Sequence, residues 1–453
     1  MYCPKNLWIT EEVKDLPQVI QIKNRIIRLD PNVNIKIVSS NRPEYKDAEN
    51  EVERFHEMKE TLLLCNRCGS FIETFASPGH IVEGPATMVK TLMNCCYKCE
   101  YCYLARTAIR QQWQKIYVNF DQLEQEMLNE VPIHAGLMTI LSSFSQYEGE
   151  PLLKIPEGFK ELSDSIRNDL SKKGSAKVAE SDVFEYLFSN LGDILLKLDC
   201  TLGKDRFFDV KKNFEKNFNV NKTLPFSFNV SEYSDILAIE HIAGHLDYLM
   251  GIINRNPKLK MHFFTKSANS AALIKHHGDN RVKIVMNFNT DFAIDNYEHD
   301  TPSLKDRINS LQAIQKNGTF LSVVHLEPAI MYPNYEKDYK NLIGKIFKKA
   351  DPNKVDKVAI GMVRYAGQLL HLAKKLYPDS DMLDNTYELV EPEYSGDPYR
   401  YDFDERIKFY KMMIAEIRKY SNCNITLGAE NPDVWEAIQL DSKKELDKVF
   451  FQS

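Results

Sequence analysis

From Ala86 onward the chain alternates short strand-like stretches with amphipathic helical stretches, and this rhythm limits the fold more than any other feature. Residues 87–92, 260–265, 281–287, 320–326 and 357–362 carry the strand signal. Between them, helical spacing predicts one helix from Ser234 as N-cap through Ile236, Ile239, Ala243, Leu246 and Met250. Other helices are expected over 269–277, 335–348 and 366–376. Thr301-Pro-Ser303 opens a further helix, which Asn317-Gly318 closes. Repeated strand–helix units of this length predict an α/β fold around a parallel sheet, open or barrel-like, with chemistry gathered at the carboxyl ends of its strands.

Residues 1–85 read as an N-terminal α/β layer. Within it 18–27 has helical character, 33–38 alternates as a strand, 47–59 is a charged, solvated helix and 76–79 is a loop. The body runs over 86–377, and a polar, charged stretch at 135–223 breaks its rhythm. That stretch is read as a helical insertion with an amphipathic helix over 184–198. The C-terminal region, 378–453, holds a Tyr-rich loop at 391–401, a helix over 403–420, a strand and turn over 425–430, and Trp435 in a last helical turn. The net charge of −6 argues against a protein that grips nucleic acid mainly by its phosphates, although a local basic patch is compatible with it. No run of roughly 18 apolar residues predicts a membrane span, and the first residues lack a secretory pattern. The expected location is the cytoplasm, where nine cysteines call for metal, redox or buried-thiol roles.

Four of those cysteines fall in Asn94-Cys-Cys-Tyr-Lys-Cys-Glu-Tyr-Cys-Tyr-Leu-Ala105. Cys95, Cys99 and Cys102 form C-x3-C-x2-C, and Cys96 lies out of register. Thiolates are soft ligands for zinc or iron–sulfur clusters. A structural zinc closes four ligands, and a cubane ordinarily takes four Cys. Three ligands leave one iron open, as a [4Fe–4S] cluster requires if it is to chelate S-adenosyl-L-methionine (SAM) and cleave it to a radical. The cofactors expected are therefore a [4Fe–4S] cluster and SAM, which carry the chemistry while the protein orients them. Cys65 and Cys68 form a looser pair: half a zinc site, a redox pair or two structural thiols. Cys200 and Cys423 read as buried small hydrophobes. His241 and His245 have a metal-compatible i, i+4 spacing, but core roles are expected without a third ligand.

At these residues the sequence resembles the spore photoproduct lyase family of radical-SAM enzymes. Cys99-Glu-Tyr-Cys-Tyr-Leu104 and Ile116-Tyr-Val-Asn119 match its cluster loop and the segment after it. Ser234-Asp-Ile-Leu-Ala-Ile-Glu-His241, Phe264-Thr-Lys266-Ser, Asn287-Phe-Asn289 and Tyr297-Glu298-x-x-Thr301-x5-Arg307 match later motifs. The likeness implies a partial (β/α) TIM-type barrel, to which the chain's own pattern adds the N-terminal α/β layer and the helical insertion. By position it implies SAM contacts at Ser234, Lys266, Asn287 and Asn289, with Tyr101 and Tyr103 near SAM. It also implies DNA repair, and a reductant such as flavodoxin or ferredoxin.

One position departs from the family. The cysteine that returns a hydrogen atom to the substrate radical is here Glu232, between Ser231 and Tyr233. A carboxylate O–H is a poor hydrogen-atom donor. Either Cys96, Tyr233 or a distant cysteine quenches the radical, or the chemistry or substrate has changed and Glu232 holds a cation or acts as a base. Glu232 and Tyr233 are thus the candidate catalytic residues. The substrate readings are a nucleic-acid base such as a thymine-dimer-like lesion, or a small molecule, nucleotide or peptide. A non-catalytic cluster or zinc protein is the third reading.

Overall fold

The computed structural model describes residues 2–43, 50–75, 86–106, 113–148, 159–172, 178–197, 204–223, 225–230, 232–276, 280–318, 320–382, 389–390 and 398–440. The expectations at 76–79, 391–397, Cys200 and His277 lie outside them.

The first strands are β1 (Asn6–Thr10), β2 (Asn34–Val38), β3 (Thr61–Cys65), β4 (Ile72–Phe75), β5 (Ala86–Val89), β6 (Leu92–Met93), β7 (Lys98–Cys99) and β8 (Gln114–Tyr117). After a helical stretch come β9 (Phe226–Val230), β10 (Leu259–Thr265), β11 (Val282–Asn287), β12 (Glu298–His299), β13 (Leu321–Ala329), β14 (Val355–Met362), β15 (Arg364–Tyr365), β16 (Tyr399–Arg400) and β17 (Asn424–Leu427).

Two sheets carry the fold. A five-stranded sheet has the order β2-β1-β3-β8-β6, and an eight-stranded sheet has the order β17-β14-β13-β11-β10-β9-β5-β4. The larger sheet is parallel except for the β4–β5 pair at one edge. Intervening helices make these parallel crossovers possible. Period-2 alternation assigns its faces. Met261, Phe263, Ile284, Met286, Val324, Leu326, Val358, Ile360, Ile425 and Leu427 join one large apolar core. On the other face, Val285, Val323 and Ala359 form a small separate cluster with Phe264. His325, Glu327 and Asn287 share the alternation of that second face.

The stretch expected as one strand over 87–92 is two strands in different sheets. β5 belongs to the larger sheet, and β6 pairs antiparallel with β8 in the smaller one. The smaller sheet therefore takes strands from both sides of residue 85, and the cysteine loop hangs between its strands β6 and β8.

The helix expected from Ser234 through Met250 is also two, Ile236–Ala243 and Leu246–Arg255, bent by 102°. Gly244 adopts a left-handed conformation (φ +69°), which ends the first helix. The Glu240 carboxylate then accepts from the amides of His245 and Leu246 at 3.0 and 3.1 Å and starts the second. Asp235, not Ser234, is the N-cap, accepting from the Ala238 amide at 3.1 Å. Ser303 and Gly318 do cap the helix Leu304–Asn317 as expected.

Residues 123–221 are mostly helical where described, beginning at Leu123 rather than near residue 135. Ile133, Ile166, Leu187, Phe214 and Phe218 belong to a second core inside this stretch. The single helix expected over 184–198 is Glu180–Ser189 and Leu191–Lys197, divided at Asn190. Among the described residues no single helix is long and apolar enough to cross a membrane.

Candidate active site

The cysteine loop is fixed at both ends by Asn94. Its backbone is left-handed (φ 61°), a conformation Asn tolerates, and its Nδ2 donates to the Trp113 carbonyl at 3.0 Å. Within the loop the Cys102 amide donates to the Cys99 carbonyl at 3.1 Å, and the Ala105 amide to the Cys102 carbonyl at 3.0 Å. β7, carrying Cys99, pairs antiparallel with β12. Glu100 ties the same junction: its amide donates to the Tyr297 carbonyl at 3.0 Å, and its carboxylate meets His299 Nε2 at 2.7 Å.

The three thiols are buried or half-buried and gathered. Burial pushes the Cys99 and Cys102 thiols up, and both also feel Cys95. Cys95 is pushed up first by its hydrogen bond with Cys96 and then by burial. Two lysines oppose this. Lys59, itself only 3% exposed, donates Nζ to the Cys95 carbonyl at 2.7 Å and also to the Tyr97 carbonyl. Its charge favours the thiolates of Cys95 and Cys102, and Lys266 does the same at Cys99 and Cys102. Among the described residues no three His, Cys, Asp or Glu side chains converge on a point for one ion. A cluster asks for something different, because each thiolate takes its own iron. A short loop of three gathered thiols backed by buried cations fits that donor set.

Glu298 joins the loop to the strand ends of the larger sheet. It is 1% exposed. It accepts from Tyr101 OH, from Arg307 Nη2 at 2.5 Å and from Asn289 Nδ2 at 3.3 Å, and Lys266 Nζ lies 3.7 Å away. Burial alone would raise its carboxyl, but the Arg307 guanidinium and then Lys266 reverse this and hold it at about 2. Arg307 is fully buried and also donates to the carbonyls of Pro302 and Asn287 and to Thr301 Oγ1. The Tyr-Glu…Thr…Arg motif is thus a buried brace. Burial and the charge of Glu298 keep the Tyr101 phenol protonated, so it remains the donor.

The residues expected to hold SAM fall around this brace. Lys266 Nζ donates to Asn287 Oδ1 at 2.5 Å and lies 5.4 Å from the Tyr101 ring centre. Asn287 Nδ2 faces the Glu327 carbonyl and His325 Nδ1, the latter at 3.3 Å. Asn289 is buried with its amide fully engaged. It donates to the Pro328 carbonyl at 3.0 Å and accepts from Tyr339 OH at 2.8 Å, so it braces the strand end. Ser234 is half-buried beside Asp235, whose carboxylate accepts from Thr265 Oγ1 at 2.8 Å and the Lys266 amide at 2.7 Å.

Tyr103, Glu232 and Tyr233 form a separate group. Tyr103 is 54% exposed and donates to the Glu232 carbonyl. Tyr233 OH lies 3.4 Å from Glu73, and Lys90 Nζ sits 4.5 Å from the Tyr233 ring centre.

The histidine pair is not a metal pair. His241 Nε2 meets the Tyr2 carbonyl at 2.8 Å, and His245, beyond the helix break, packs edge-on against Phe120. Burial lowers the pKa of both, to about 3 for His245. Cys65 is buried, with its thiol pushed up to about 12 by burial, whereas Cys68 is exposed and accepts from Asn41 Nδ2.

Sequence reasoning missed Lys59, Asp235, Glu298, Arg307, His325, Glu327 and Arg364 as site residues. Lys59 reads as one charge among many on a surface helix. Glu298 and Arg307 were visible as a motif without a role. The strand-end trio His325, Glu327 and Arg364 carried no local signal at all.

The sequence model of the spore photoproduct lyase family matches residues 198–426, a little over half of the chain. Spore photoproduct lyase of Clostridium acetobutylicum is 26% identical over 197 residues, 43% of this chain and 58% of that protein. The enzyme of Bacillus subtilis is 28% identical over 121 residues, 26% of this chain and 34% of that protein. The chain thus spans less than two thirds of the length of either curated relative. A solved spore photoproduct lyase complexed with dinucleoside spore photoproduct superposes with a TM-score of 0.62 at 14% identity, covering 94% of this chain and 98% of that one. A variant with bound AdoMet and dinucleoside spore photoproduct gives 0.63 over the same coverage at 14% identity. These likenesses show a shared mixed α/β fold with parallel strands, and by its sequence match the chain belongs to the spore photoproduct lyase family.

Proposed function

We propose that this chain is a radical-SAM lyase acting on a thymine-derived or related base lesion, with its larger sheet serving as a partial (β/α) barrel. The observation that carries the reading is the loop of three gathered thiols, Cys95, Cys99 and Cys102, hung between β6 and β8 of the smaller sheet and backed by Lys59. These thiols would hold a [4Fe–4S] cluster. When bound, that cluster supplies the electron that breaks a C–S bond of SAM. Lys59 balances negative charge behind the loop. Ser234, Lys266 and Asn287, with Tyr101 and Tyr103, would hold SAM, and Asn289, Glu298 and Arg307 keep them in place. The position that ends the family's reaction with a thiol is Glu232, so hydrogen return falls to a neighbouring phenol, Tyr103 or Tyr233, or to a different outcome.

The Glu232 departure favours a second reading, a small-molecule, nucleotide or peptide substrate. The test is anaerobic reconstitution, reduction, and incubation with SAM and dinucleoside spore photoproduct, read by mass spectrometry. Conversion of the photoproduct to thymine-containing product is expected. Turnover of SAM with the photoproduct untouched, in a cluster-loaded sample, would move the assignment to the second reading.

A further inference from the structure

Beside the expected SAM contacts, the end of β13 and the start of β15 carry a second polar group. Glu327 Oε2 lies 3.1 Å from His325 Nε2, and Arg364 Nη1 donates to Glu327 Oε1 at 2.7 Å. The three side chains are 19, 17 and 29% exposed for His325, Glu327 and Arg364, so the group is partly open. Room for Glu327 is built into β14 and the bend after β17. A Cβ on Gly361 would fall 2.5 Å from its carboxyl carbon, and one on Gly428 would fall 2.2 Å from Oε2. Real Cβ atoms do not approach that closely, so glycine at both positions is what seats the carboxylate.

The group's orientation is set by a relay that begins at the SAM side. Lys266 donates to Asn287 Oδ1, which turns Asn287 Nδ2 toward His325 Nδ1 at 3.3 Å. The ring then carries its proton on Nε2 and donates it to Glu327. Behind Arg364, its strand partner Arg400 is anchored to Glu430 at 3.1 Å, and Glu430 also takes Tyr410 OH at 2.6 Å.

We propose that Glu327 and Arg364 form the base-reading subsite, taking the ring N–H and adjacent carbonyl of a planar cyclic imide such as thymine. The inference rests on the base-lesion reading above and names the part of the site that would recognise the base. The guanidinium charge is offset by the carboxylate, so the pair suits a neutral ligand edge better than a phosphate. Although burial opposes it, Arg364 holds the Glu327 carboxyl well below its usual range. The carboxylate is therefore an acceptor only, and the ligand must bring the donor. An imide edge supplies one N–H flanked by carbonyls, which complements a carboxylate beside a guanidinium.

The test is equilibrium binding to the anaerobically reconstituted holoenzyme with SAM, using dinucleoside spore photoproduct and its counterpart methylated at the ring N–H. The wild type is expected to bind the unmethylated ligand on the order of 10- to 100-fold more tightly, as loss of a hydrogen bond to a charged group implies. Glu327→Gln is expected to lose most of that preference. If the variant fails to fold, the wild-type preference alone decides. Equal wild-type binding of both ligands, or an undiminished preference in Glu327→Gln, would overturn the inference and leave the base-lesion reading standing. A wild-type holoenzyme that binds neither ligand would sink the base-lesion reading, and this inference with it.

Discussion

The ammonium of Lys59 holds two backbone carbonyls of the cysteine loop and places a charge behind thiols that burial would keep neutral. Lys59→Met is expected to destabilise the fold by about 1–3 kcal/mol, the cost of leaving buried acceptors unpaired. It should also lower iron content after reconstitution, measured by thermal unfolding and iron assay. Arg307→Ala leaves Glu298 buried without its main cation, and a loss of about 3–5 kcal/mol in chemical unfolding is expected. The pH dependence has a definite sign. The folded Glu298 carboxyl sits at about 2 against an ordinary 4.5, a depressed value. Its stabilisation is complete above pH 4.5 and disappears as pH falls from there through about 2. Acid unfolding of Arg307→Ala should lack that component. At this scale the three proposed cluster cysteines were legible because their spacing is local. The brace was not, because Glu298 meets Tyr101 only through a fold that brings residues 197 apart together.

Gly244 does its work at the level of the element. Its left-handed backbone divides two apolar helices, and an added Cβ would lie 2.3 Å from Arg25 Nη1. Gly244→Ala is expected to cost about 1–2 kcal/mol, read from the thermal midpoint. Periodicity alone drew one helix here, because the apolar spacing runs through the break and only the glycine marks it. Most strands of the larger sheet were readable, since their runs are short and bounded by turns. The switch of 87–92 between sheets was not, because strand character says nothing of which partner a strand finds. Cys96 belongs to the same loop element as the three proposed ligands, but it is 6% exposed and joins the core. Cys96→Ala should keep the brown absorption of the loaded protein, whereas Cys95→Ala, Cys99→Ala or Cys102→Ala should abolish it.

For the whole molecule, a net charge of −6 predicts weak electrostatic attachment to duplex DNA. Affinity for undamaged duplex should fall only shallowly with salt, as the proposed recognition of a base rather than a run of phosphates requires. The helical stretch 123–221 packs its own core, so the chain carries a body absent from the sheet's rhythm, and its role was unreadable from sequence for that reason. The fold brings the cysteine loop, the Glu298 brace and the Glu327 wall into one chain of contacts across two sheets. The most direct test of radical generation at this loop is the yield of 5′-deoxyadenosine from SAM by the anaerobically reconstituted, reduced protein. Wild type should form it, and Cys99→Ala should not. No 5′-deoxyadenosine from a fully iron-loaded wild type, or an equal yield from Cys99→Ala, would contradict the assignment.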